Sequence, residues 1–200
     1  MFLAFGWFAT FATAATPPIL VLGDSLSAAH GIALKDGWVS LLSQRLQAVT
    51  PPRAVVNASI SGETTAGGLA RLPQLLADTQ PALVIVELGA NDGLRGLPLA
   101  EARANLVKIL AAIHAAGAHA LLVGIELPVN YGPQYRDGLR SMYRGLAEEF
   151  NAPLLPFLLD GVALNPDLMQ DDGLHPNAKA QPKVLENVWG VLQPALRDLR

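Results

Sequence analysis

The chain of 200 residues contains no cysteine, which excludes a disulfide scaffold, a thiol nucleophile and thiolate-bound metal centres while leaving the compartment open. Charge is also scarce: Asp, Glu, Lys and Arg make up 16% of the residues. The balance of 14 basic to 17 acidic residues, a formal net charge of -3, offers no electrostatic footprint for a nucleic-acid backbone or an anionic membrane surface. Nucleic acid is therefore not an expected partner. Neither GxGxxG nor GxxxxGK[ST] occurs, so no phosphate-cradling loop is signalled. The GANDG stretch at residues 89–93 lacks that spacing. The GxSxG elbow of the α/β-hydrolases is missing as well.

What the chain has in quantity is apolar side chains, 51% of its residues, enough to form a core and to exclude intrinsic disorder. Its first residues, MFLAFGWFATFATAATPP, form an uncharged apolar run closing on Ala12, Thr13, Ala14 and Ala15. That run falls short of the roughly 20 apolar residues a membrane span needs, and it ends in the small residues that a signal peptidase accepts. A signal peptide over residues 1–15, cleaved near Ala14 or Ala15, is expected, although no Lys or Arg precedes the run. The mature protein would be periplasmic or secreted, without stable membrane insertion, and one domain over residues 16–200.

Short apolar runs then alternate with longer patterns. ILVLG (19–23), AVVNAS (54–59), ALVIVELG (82–89), ALLVGIEL (120–127) and PLLPF (153–157) are apolar nearly throughout, as strands buried on both faces of a parallel sheet should be. Between them, and after the last, lie stretches whose apolar residues recur three and four apart, the spacing of amphipathic helices. This order predicts an α/β domain, a three-layer α/β/α sandwich around a five-stranded parallel sheet.

Ligands of such sheets bind outside the carboxyl ends of the strands. Ser25 follows the first proposed strand, Gly62 the second, and Asn91 with Asp92 the third. Each of these is also an ordinary turn residue. A serine nucleophile needs a base, and the chain offers His30, His114, His119 and His175. His114 and His119 fall at the end of a helical pattern and in the turn after it. His30 has no carboxylate three or four residues away to orient it. His175 has Asp172 three residues before it, across a glycine, and a carboxylate on Nδ1 fixes the tautomer that a general base requires. An acyl-transfer site also needs donors for the developing oxyanion. Candidates are the backbone N–H groups of Ser25 and Gly62 and the side-chain amide of Asn91.

Four blocks of the chain resemble those of the SGNH hydrolases, also called the GDSL esterases and lipases: GDSLS (23–27), NASISGET (57–64), ELGANDGLRG (87–96) and DDGLHPN (171–177). They stand in family order, and the likeness extends through GLARLP (68–73), LPVNYG (127–132) and HPNAKAQP (175–182). It is closest to the family's periplasmic branch of thioesterases, lysophospholipases and arylesterases. The resemblance implies a flavodoxin-like fold and hydrolysis of esters and thioesters with neither cofactor nor metal. Ser25 would be the nucleophile, His175 the general base and then acid, and Asp172 the orienting carboxylate. Ser25, Gly62 and Asn91 would form the oxyanion hole. The loop carrying Gly93, Leu94 and Leu97 would respond to the acyl chain, and Leu127 with Pro128 would wall it. The expected partner is a small acyl ester or thioester, and the expected state a monomer. Three other readings of the residues stay open: a carbohydrate acetylesterase, a flavodoxin-like module that binds without catalysis, and a cofactor-binding redox domain on the same fold.

Overall fold

The computed structural model describes residues 16–49, 51–197 and 199. The expected signal peptide, residues 1–15, lies outside them. Five strands form one sheet in the order β2-β1-β3-β4-β5, every neighbouring pair parallel. They are β1 (Ile19–Gly23), β2 (Val55–Asn57), β3 (Leu83–Glu87), β4 (His119–Val123) and β5 (Leu154–Leu155). The helices are α1 (Trp38–Gln47), α2 (Thr65–Thr79), α3 (Ala90–Leu94), α4 (Leu99–Ala115), α5 (Pro133–Glu149) and α6 (Gln181–Ala195).

Side chains alternate across a strand, so a strand that is apolar at every position feeds two cores at once. In β1, Ile19 and Val21 pack with Leu42 of α1 and Val188 of α6, whereas Leu20 and Leu22 pack with Leu72 of α2, Leu106 of α4 and Leu146 of α5. β3 divides the same way, Leu83 and Ile85 to one side and Val84 and Val86 to the other. The sandwich read from the sequence is therefore present, with two helices on one face and three on the other.

Differences lie at the element ends. β5 is only two residues long because Pro153 and Pro156 flank it, and proline cannot donate to the ladder. β4 begins at His119, a residue assigned above to a turn, whose N–H donates to Ala82 O at 2.9 Å. Asn91 and Asp92, read as loop residues, sit in the short helix α3.

The start of α1 has no side-chain cap of its own, since Gly37 occupies that position. Gln181, at the first position of α6 and almost fully buried, supplies one: its Oε1 accepts from Trp38 N at 3.0 Å. One of the donors that every helix start leaves unpaired is thereby satisfied from another helix. The Trp38 indole donates to Leu26 O at 3.1 Å, tying the same corner to the turn that follows β1.

Candidate active site

The carboxyl ends of β1, β2 and β3 bring their following loops together at one edge of the sheet, and the loop before α6 reaches over to meet them. Ser25 lies in the turn after β1. Its Oγ is 2.8 Å from His175 Nε2, and His175 Nδ1 is 2.7 Å from Asp172 Oδ2. Residues 150 apart in sequence thus stand in one hydrogen-bonded series.

The local sequence explains how Asp172 and His175 are held. Asp172 Oδ1 accepts from the N–H groups of Leu174 at 2.9 Å and His175 at 3.0 Å, closing a turn for which Gly173 supplies the positive φ of 65°. Partial burial raises the Asp172 carboxyl, but those N–H bonds and the His175 ring outweigh it and hold the group at about 2. Gln170 anchors this loop to the serine turn, its amide donating to His30 O at 2.8 Å and Pro176 O at 3.1 Å.

Asn91 Nδ2 donates to Asp24 Oδ2 at 3.0 Å and to Glu63 O at 2.9 Å, so both amide protons have partners within the protein. Gly62 adopts φ 81°, a conformation that favours glycine, and its carbonyl accepts from Arg95 Nη2 at 2.9 Å. Asp92, next to Asn91 but buried, accepts from the N–H and the hydroxyl of Thr65 at the start of α2. Its position there is a helix-capping one.

These groups open into a cavity of about 290 Å³ whose lining includes Ser25, Gly62, Asn91 and His175. Leu94, Leu127 and Pro128 line it too, together with Ile125, Phe157 and Leu174, which the sequence reading did not single out. Gly93 is buried behind Leu127, and Leu97 is 37% exposed, neither being among the lining residues. A larger hollow of about 650 Å³ at the opposite edge of the sheet, beside Pro17, Gln80 and His119, gathers no comparable set of reactive groups.

His30, set aside as a base in the sequence, lies at the site, and two acids there, Asp24 and Glu87, were given no role. The His30 ring lies 4.4 Å from that of His175, tilted by 40°. His30, Asp172 and His175 offer donor atoms within 4.8 Å of one another, a set able to hold a metal ion, although Asp172 and His175 are already bonded to each other. Beneath Ser25 lies a buried acidic pair. Asp24 is raised by burial to about 6, a rise limited by the Leu26 N–H, Glu87, His175 and Asn91. Glu87 is pushed well above the usual carboxylate range by burial and then by Asp24. A visible signal existed for Glu87, an acid closing an otherwise apolar strand.

A model described as the GDSL-like Lipase/Acylhydrolase family matches residues 21–181, and the chain belongs to that family. It is 51% identical to the esterase TesA of Pseudomonas aeruginosa over 92% of this chain and 91% of that protein. It is 48% identical to the thioesterase 1/protease 1/lysophospholipase L1 of Escherichia coli, over 92% of this chain and 88% of that one. A crystal structure of TesA superimposes with a TM-score of 0.86 at 51% identity, covering 88% of this chain and 98% of its own.

Proposed function

We propose that this protein hydrolyses carboxylic esters and acyl thioesters through an acyl-enzyme, with Ser25, His175 and Asp172 as its triad. The observation that carries the reading is the continuous Asp172–His175–Ser25 series, at 2.7 and 2.8 Å, at the mouth of a largely apolar cavity.

Ser25 Oγ attacks the acyl carbonyl carbon while His175 Nε2 takes its proton, and Asp172 stabilises the imidazolium that results. The carbonyl oxygen becomes an oxyanion facing the N–H groups of Ser25 and Gly62 and the amide of Asn91. Because both Asn91 protons already have acceptors, one of them turns toward the oxyanion as charge develops, a contact stronger in the transition state than in the ground state. Collapse expels the alcohol or thiol with the proton from His175. Water, deprotonated by the same imidazole, then attacks the acyl-enzyme and releases the acid and Ser25.

Leu94, Leu127 and Pro128 favour an acyl chain over a sugar as the group held beside Ser25. The named relatives include an esterase and a thioesterase/lysophospholipase, and we extend those classes, with arylesters, to this chain. Among the described residues no helix is long and apolar enough to cross a membrane. A periplasmic or secreted, monomeric enzyme with a single domain over residues 16–200 is part of the same proposal. The export portion rests on the composition of residues 1–15, and an intact mass beginning at Met1 in the exported fraction would overturn it.

The test is hydrolysis of p-nitrophenyl butyrate and of a long-chain acyl thioester by wild type and Ser25→Ala. Wild-type turnover of either, reduced at least about a thousandfold in the variant, is expected. Turnover that survives the substitution, or exclusive cleavage of acetylated sugars, overturns the reading, and no turnover at all leaves the binding module as the better one.

A further inference from the structure

β3 sends four apolar residues into the two cores and then ends on Glu87, whose relative exposure is 0%. Its register partner is Gly23, the residue before Asp24. Glu87 Oε2 has two donors, Asp24 N at 3.2 Å and Ser27 Oγ at 2.7 Å. Glu87 Oε1 is buried and has none. Burial raises both the Asp24 and the Glu87 carboxyl groups, and the Asp24 backbone N–H joins them. An ionised carboxylate only accepts, so the buried Glu87 Oε1, which no donor reaches, is accounted for if the pair keeps a proton. Among the described residues neither acid is in a salt bridge with Lys, Arg or His. Burying two unpaired negative charges side by side is more costly than retaining one proton between them.

Resting on the hydrolase reading above, we propose that Glu87 is a positioning residue of the reaction: it stays protonated, donates to the Asp24 carboxylate, and so fixes the group that holds both Asn91 and the serine turn. Asp24 Oδ2 accepts from Asn91 Nδ2 at 3.0 Å, and Oδ1 accepts from Leu26 N at 3.0 Å, closing a turn with Ser25 between Asp24 and Leu26. One hydrogen bond from Glu87 therefore orients an oxyanion donor and the nucleophile together. The proton also removes a second negative charge from beneath the point where the oxyanion forms, where it would oppose catalysis. Gly23 is required by this arrangement, since a Cβ there would lie 2.8 Å from Glu87 Oε2 and from Ser27 Oγ.

The polar surroundings keep the proton on Glu87. From α5, Tyr143 donates its hydroxyl to Leu88 O at 2.6 Å and offers nothing to Glu87. From α3, Asp92 is acidic and held by Thr65. From the loop before α6, His175 lies on the Asp24 side and lowers Asp24 rather than Glu87.

The experiment combines infrared spectroscopy with kinetics on wild type, Glu87→Gln, Glu87→Met and Ser25→Ala. At pH 7 the wild type should show the carbonyl stretch of a buried protonated carboxyl that is absent in Glu87→Gln and retained in Ser25→Ala. Glu87→Met should lower kcat by about tenfold to a hundredfold with little change in KM, less than direct loss of an oxyanion donor costs. Glutamine, which keeps a donor and an acceptor in the same shape, should restore kcat to within about threefold of wild type, since the effect is carried by hydrogen bonds of modest strength. The absence of the band, full activity in Glu87→Met, or a glutamine variant as impaired as the methionine one overturns the proposal. If Glu87→Met does not fold, the band and the glutamine variant still decide. If Ser25→Ala keeps its activity while the band is present, the hydrolase reading has failed and the protonated pair has not.

Discussion

Asp172 shows how much one side chain can be made to do by three hydrogen bonds. With one oxygen on two backbone N–H groups and the other on the His175 ring, it remains ionised down to a pH of about 2. The acid limb of activity above pH 4 therefore does not arise from Asp172. Replacing it with asparagine keeps the shape but favours the wrong imidazole tautomer, and a loss in kcat on the order of ten-thousandfold is expected. Stopped-flow acylation by an activated ester measures it directly, and a loss under tenfold would mean that Asp172 does not orient the base. Asp172 was legible in the sequence because its partner is three residues away. Asp24 and Glu87 were not read as a pair, since 63 residues separate them and only the register of β1 against β3 brings them together.

Among the elements, apolar runs gave the strand count and their order along the chain, because parallel strands buried on both faces carry almost no polar residues. The sequence could not give the spatial order, with β2 outside β1 and β3 inside it, since crossover direction is set by packing rather than by composition. It also hid the joint between helices. Gln181 stands within the HPNAKAQP stretch, which gives it no structural role, yet its side chain caps α1 across 143 residues. Substitution by alanine leaves Trp38 N buried without an acceptor, and a loss of about 1–3 kcal/mol is expected. Urea unfolding with an unchanged m-value measures it. A stability change below a few tenths would show that water replaces the cap without cost.

For the whole molecule, the buried acids beneath Ser25 set a pH dependence of folding opposite to that of most carboxylates. Asp24 is raised from 3.8 to about 6, so between these values the folded state binds more protons than the unfolded chain. Stability from this group is fully present below about pH 4 and is lost as pH rises through 6, by about 3 kcal/mol in all. Glu87, raised further, extends the decline in the same direction. Asp172 has the opposite sign: its contribution is present above 3.8 and lost as pH falls toward 2. Asp24→Asn removes the first dependence and keeps one of the two acceptors that serve Asn91 and Leu26, an NH2 replacing the other. The unfolding free energy of wild type minus that of Asp24→Asn should therefore fall by about 2 kcal/mol between pH 4 and pH 6.5. Calorimetry or denaturant titrations at closely spaced pH values give that difference. A difference that stays flat or rises would mean that Asp24 ionises in the folded protein as it does in water. The burial that sets Asn91 and the serine turn in place would then carry no electrostatic cost.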